Sequence, residues 1–123
     1  MILSINHIQL VAEKDLVIKL RDFYCDVVGL TEGFRPAFER FGFWLYIGDK
    51  DVLHLITPKE GDDRSPQKSS FDYVAFKTGN YESVLKKLKS LNVTFEEKPI
   101  PGMAAHQIFL KDPAGNRVEL NFD

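Results

Sequence analysis

Apolar and polar residues alternate along several short runs of the chain. In "INHIQLVA" (5–12), Ile8 and Leu10 fall on one side and Ile5, His7 and Gln9 on the other. "FDYVAFKT" (71–78) repeats the pattern, with Val74 and Phe76 opposed to Tyr73, Ala75 and Lys77. Each run reads as a strand, and a helical period follows each. After the first, Leu16, Leu20, Phe23 and Val27 recur at three- and four-residue spacing. Asp15 is the candidate cap and Gly29 the stop. After the second, Asn80 is the candidate cap for a stripe of Tyr81, Val84, Leu88 and Leu91. Asn92 suits the left-handed stop position.

An extended stretch follows each helix, "LTEGFRP" and "VTFEEKP", and both end at proline. Each copy then closes with a hairpin, "FWLYIGDKDVLHLIT" (43–57) and "IFLKDPAGNRVELNF" (108–122), turned by "GDKD" and "DPAGN". With Trp44 laid on Phe109, His54 falls on Glu119 without a gap. The pattern predicts one α+β domain over 1–123, built from two strand–helix–strand–strand–strand modules at 1–57 and 71–123. A half that short cannot bury a sheet face alone, so the two must pack together. The polar segment "PKEGDDRSPQKSS" (58–70) reads as the linker between them.

The faces then raise a chemical question. In the last strand of each module, Leu53 and Leu55, or Val118, Leu120 and Phe122, make an apolar side that suits the helices. The opposite side carries Val52, His54 and Ile56, or Arg117, Glu119 and Asn121. His7, His54, Tyr73 and Glu119 therefore hold equivalent places on a polar face, which predicts a concave, partly wet cleft. Two imidazoles and a carboxylate are donors for a divalent cation. A carboxylate buried on a strand must be paired or bound to metal. A salt bridge from Arg117 or Lys77 would satisfy Glu119 as well as a metal would.

Composition narrows the partners. A formal charge of −2 gives no reason to expect a nucleic acid or a membrane surface. "KKLK" (86–89) reads as a solvated helix face. No apolar run approaches a bilayer span, and the N-terminus lacks a signal-peptide pattern. Cys25 is the only cysteine, so no internal disulfide forms, and a reducing cytoplasm is expected. Among Phe23, Tyr24 and Val27, Cys25 reads as a small buried hydrophobe. No nucleophile-elbow, phosphate-loop, dinucleotide or paired-cysteine motif is present.

"NHIQL", "WLYIGDKDVLHLI", "FDYVAF" and "HQIFLKDPAGNRVELNF" together resemble the vicinal oxygen chelate superfamily, the glyoxalase, bleomycin-resistance and extradiol-dioxygenase group, over essentially the whole chain. The resemblance implies paired βαβββ modules forming a curved mixed sheet around a metal cleft, usually in homodimers. Its metal ligands carry over to His7, His54 and Glu119. The remaining ligand position falls on Tyr73, where many members have histidine. A phenol, ionising near ~10 in water, is a poor ligand unless it loses its proton. Tyr73 then stands as a weak ligand, a proton donor, or the wall of a three-ligand site. One divalent ion per site is implied, iron, zinc, nickel, manganese or cobalt, chelating adjacent oxygens of a small substrate. The chemistry is of lyase, isomerase or dioxygenase type. The alternative is a metal-free small-molecule or drug-binding protein.

Catalytic candidates are Glu119, His54 and Tyr73. His106, in the Pro/Gly-rich segment 99–106, is a further base candidate on a lid, or an ordinary loop histidine. Gln9, Lys77 and Arg117 on the polar face, with His106 and the aromatic Phe38, Phe41 and Trp44, are candidate substrate contacts. Arg35 or Arg40 is placed to reach a substrate carboxylate.

Overall fold

The structure is a computed structural model that describes residues 1, 3–61, 73–99 and 106–122. Most of the expected linker, the first two residues of "FDYVAF" and residues 100–105 of the expected lid lie outside the described residues. The chain divides into two compact units, Met1–Pro66 and Gln67–Asp123.

In the first unit the element order is β1 (Ile8–Val11), α1 (Lys14–Asp22), β2 (Thr31–Gly33), β3 (Gly42–Ile47) and β4 (Lys50–Ile56). The strands form one mixed sheet in the order β1-β4-β3-β2. β1 runs parallel to β4, while β3 is antiparallel to both β4 and β2. The apolar alternation appears as burial: Leu53 and Leu55 on β4 and Leu45 on β3 are buried. Helix α1 supplies Val17 and Leu20 to the same core, and Tyr24 joins them from the turn that follows it.

That stripe differs from the expected one. Leu16, Phe23 and Val27 are half-buried, and Val17 and Tyr24 take the centre. Val17, Leu20 and Tyr24 keep the three- and four-residue spacing at a phase one residue on from Leu16 and Phe23, and a widened π-helical turn, Phe23–Val28, continues α1. Gly29 ends it in the left-handed region, φ 104°, and the amides of Gly29 and Leu30 both close onto the carbonyl of Tyr24. Asp15 is not the cap. Glu13 stands there without a side-chain cap bond, and Asp15 lies in the first turn, where its charge favours the helix dipole.

The second unit repeats the order: β5 (Tyr73–Lys77), α2 (Tyr81–Ser90), β6 (Glu96–Pro99), β7 (His106–Lys111) and β8 (Arg117–Phe122). Its sheet runs β5-β8-β7-β6, again with the first strand parallel to the last. Asn80 caps α2 as its sequence suggests, its side chain accepting the Ser83 amide at 3.2 Å. Asn92 adopts φ 58°. Leu88 is the fully buried member of the α2 stripe, whereas Leu91 is exposed. Val118, Leu120, Phe122, Ile108 and Leu110 are buried on the sheet. The "DPAGN" turn is held by Asp112, whose carboxylate accepts the Ala114 and Asn116 amides and the Asn116 side chain at 2.8–2.9 Å. Among the described residues no helix is long and apolar enough to cross a membrane.

Leu55 is 0 % exposed, on the strand that joins β1 to β3. Leu55→Ala is expected to lower the unfolding free energy by about 2–5 kcal/mol. Denaturant unfolding measures it, and a loss below about 1 kcal/mol would contradict this packing.

Candidate functional site

The ladder registers reproduce the repeat around His54 and Glu119. Gln9 pairs with His54 across β1 and β4, and Ala75 pairs with Glu119 across β5 and β8. On the other side, Trp44 pairs with His54 and Phe109 with Glu119. His54 and Glu119 thus occupy the same place in the two sheets. They are buried at 7 % and 4 % exposure, on faces that otherwise carry exposed polar groups such as Gln9 and Lys77.

In the first unit His54 is the middle ring of a three-ring stack. The indole of Trp44 lies on one neighbour contact, at 4.1 Å and 6°, and the imidazole of His7 on another, at 3.7 Å and 15°. His7 itself is exposed, just ahead of β1. The His54 Nε2 is bonded to Asp51 Oδ2 at 2.6 Å. An ionised carboxylate only accepts, so the proton sits on Nε2 and the Nδ1 lone pair stays available. His7 Nδ1 is bonded to Asn6 Oδ1 at 2.8 Å, which leaves its Nε2 lone pair. An imidazole with one nitrogen fixed by an oxygen acceptor is the usual arrangement of a metal-ligating histidine, and equally of a general base.

Asp51 was not expected here. By strict alternation it shares a face with Leu53. The β3–β4 ladder pairs Leu45 with Leu53 and then Tyr46 with Asp51, so Val52 is unmatched. This bulge reverses the parity of everything before it and brings Asp51 to the His54 face. Burial pulls the His54 pKa below the ordinary value, against the opposing effect of the Asp51 bond, and that bond in turn holds the Asp51 carboxyl below its usual range.

These residues border a cavity of about 470 Å³, which Gln9, Phe38, Trp44, Arg35 and Arg40 also line. Two of the expected aromatic contacts, Phe38 and Trp44, therefore meet there, with their rings 6.1 Å apart. Phe41 is not in this wall. It packs edge-on to Phe43, with the Lys14 ammonium over its ring.

In the second unit Gln107 Nε2 donates to Glu119 Oε1 at 2.7 Å, so a neutral amide orients the buried carboxylate. Gln107 lies one position inside β7, a signal that the alternation of "HQIFLK" carried but that motif reading passed over. The Tyr73 ring stands edge-on to Phe109, and the Arg117 guanidinium lies over both rings, 5.4 Å and 4.1 Å from their centroids. Lys77 is exposed at the far end of β5. His106 is not a loop residue. It begins β7, pairs with Pro99 and Phe122, and stacks on Tyr81 of α2 at 4.4 Å. Neighbouring Gln107 faces Glu119, so His106 faces the helix side of the sheet, which removes it from the polar face. The Tyr81 hydroxyl bonds Glu97, and that bond, with burial, pushes its pKa up to about 12.

The structure brings His7 and His54 together, and gives Glu119 and Tyr73 separate neighbours in the second unit. Among the described residues no group of three His, Cys, Asp or Glu side chains is gathered to hold a metal ion.

The sequence pattern of the Glyoxalase/Bleomycin resistance protein/Dioxygenase superfamily matches residues 4–120. The chain belongs to this superfamily. Solved structures with the same fold include a protein from Bacillus anthracis described as a glyoxalase family protein. It is 22% identical, TM-score 0.78, covering 100% of this chain and 97% of that one. A mutant of the fosfomycin resistance protein FosX from Listeria monocytogenes, complexed with Mn(II) and 1S,2S-dihydroxypropylphosphonic acid, is 17% identical with TM-score 0.74, covering 99% and 93%. Lactoylglutathione lyase from Agrobacterium tumefaciens is 19% identical with TM-score 0.68, covering 97% and 92%. At these identities the superfamily likeness extends to the fold alone. None of the curated proteins compared with the chain matches it.

The pKa shifts set a pH dependence. The folded protein binds a proton at His54 more weakly than the unfolded chain does, so acid favours unfolding. The His54 contribution is complete above about 6.5, the unfolded value, and is lost as pH falls through the lower folded value. Denaturant midpoints are expected to drop between about pH 7 and pH 5, and His54→Gln to flatten that slope. An unchanged slope in the variant would refute the assignment.

Proposed function

We propose that this superfamily member is a metal-dependent enzyme of the glyoxalase-like kind, acting as a homodimer on a small oxygenated substrate. The observation that carries the reading is the equivalence of His54 and Glu119 in the two ladders. Each is buried on the polar face of its own sheet and oriented by a side-chain hydrogen bond, His54 donating to Asp51 and Glu119 accepting from Gln107. Two imidazoles, each with one nitrogen fixed and one lone pair available, and one buried carboxylate suit a divalent ion. His7, His54 and Glu119 are its proposed ligands. When bound, such an ion supplies Lewis acidity to adjacent substrate oxygens.

The remaining chemistry belongs to the side chains. Glu119, oriented through Oε1 by Gln107, is the proposed proton acceptor next to a substrate carbonyl when it leaves the ion, with His54 Nδ1, released from ligation in its turn, the second candidate. Tyr73 offers a hydroxyl proton to substrate. Trp44 supplies a flat apolar wall, and Gln9 an exposed amide beside it. Arg117, lying over the Tyr73 and Phe109 rings, is proposed as a substrate contact on the second sheet.

One observation favours the rival, a metal-free binding protein. Two rings stacked at 3.7 Å and 15° hold their in-plane lone pairs in separate, nearly parallel planes, so His7 must turn off His54 before both can face one ion. Elemental analysis of untagged protein and titration with Co(II) separate the two. Trp44 is the only tryptophan and lies on His54, so its fluorescence reads ion arrival directly. The expected result is stoichiometric metal, with affinity reduced at least about tenfold in His7→Ala and in Glu119→Ala. Failure of the native protein to retain any ion, at any loading, refutes the metalloenzyme and leaves the binder.

A further inference from the structure

The cavity beside the three-ring stack has an excess of positive charge. Arg35 and Arg40 both line it, and the one carboxylate among its described lining residues, Asp51, is already engaged with His54. Among the described residues no carboxylate pairs with either arginine. Arg40 Nε donates to the Thr57 carbonyl at 3.0 Å, and Arg35 Nη2 donates to the Arg40 carbonyl at 2.9 Å.

Arg35 is the more unusual of the two. Its Nε is buried and has no hydrogen-bond partner, the only such side-chain atom among the described residues. A guanidinium presents its donors as a fork, and leaving one buried prong unmatched is costly. Burial, then repulsion from Arg40, hold its pKa below the ordinary value. The fold nevertheless keeps the group in place. The Phe38 ring lies 5.1 Å from the guanidinium carbon. At Gly42 the missing side chain makes room: an added Cβ would lie 3.2 Å from Arg35 Nη2 and 2.2 Å from the Leu55 carbonyl oxygen. A cation held against its own solvation, at the wall of a cavity and next to a second cation, is what recognition of an anion requires.

We infer that this cavity takes a small organic oxyanion, a carboxylate or a phosphonate, with Arg35 as the residue that fixes its acid group and the Trp44–His54 stack as the wall for its carbon skeleton. The inference deepens the proposed function and rests on reading the first-unit cavity as the substrate site. It makes Arg35 a specificity-determining residue, and it makes charge the feature that separates substrates from neutral compounds of the same shape.

Lactate, its neutral counterpart lactamide, and methylphosphonate are suitable probes on the full-length chain at low ionic strength, read by Trp44 fluorescence and thermal shift. Lactate or methylphosphonate is expected to bind and lactamide to bind at least about tenfold more weakly. The preferred anion identifies whether a planar or a tetrahedral acid group fits. Arg35→Gln should weaken the anion about tenfold or more, and Arg35→Lys should keep the charge but lose the fork, giving an intermediate loss. Equal binding of lactamide and lactate, unchanged binding in a folded Arg35→Gln protein, or no anion binding up to about 10 mM would each overturn it. The acid–amide comparison uses unaltered protein, so it stands even if Arg35→Gln fails to fold. Anion binding without retained metal rejects only the metalloenzyme; retained metal without anion binding rejects only this inference.

Discussion

Parallel pairing of the first strand of each unit with its last is the constraint on which the candidate site depends. The pairing is long-range, so it cannot be set by a turn. It is fixed by the apolar side of both strands, because a one-residue slip would carry Leu55 or Leu120 to the polar face. Once the apolar register is satisfied, the polar residues have no freedom. Gln9 must stand beside His54 and Ala75 beside Glu119. The chemistry of the polar face is thus positioned by the packing of the other face, and the cost of burying an imidazole and a carboxylate is offset by the bond His54 donates to Asp51 and the one Glu119 accepts from Gln107.

Most of the architecture was legible from local pattern. Period-two runs, a proline-ended extended stretch and strong turn residues predict both sheets, and Gly29, Asn80 and Asn92 adopt the roles their conformational preferences suggest. Three features escaped for identifiable reasons. The buried stripe runs through Val17, Leu20 and Tyr24, because apolar residues at adjacent positions fit two phases of one 3.6 period and the pattern does not choose between them. The Val52 bulge hides Asp51, because parity is read outward from the core and nothing in "GDKDVLHL" announces the extra residue. His106 is drawn into β7 by backbone pairing with Pro99 and Phe122, although its flanking Pro and Gly favour a loop.

The candidate site is legible in part for the same reason. His54 and Glu119 follow from alternation and repeat alone. The roles of Gln107 and Arg35 depend on side-chain reach across strands and through the irregular segment between β2 and β3, which periodicity does not encode. The superfamily fold supplies the scaffold, and it recurs here at 22% identity and below. Chemistry, by contrast, resides in a few positions that the scaffold leaves open.

The Asp112 turn has a kinetic consequence. Its carboxylate accepts from Ala114 and Asn116, both within the next four residues, so local bonds already shape the β7–β8 corner. Hairpin closure occurs in about 1–10 μs, whereas joining β5 to β8 must wait for a much larger loop to close. The second unit therefore has a natural folding order, with the C-terminal hairpin as the seed and the parallel strand arriving last. On that order the strand that carries Glu119 takes shape ahead of its pairing with the strand that carries Tyr73.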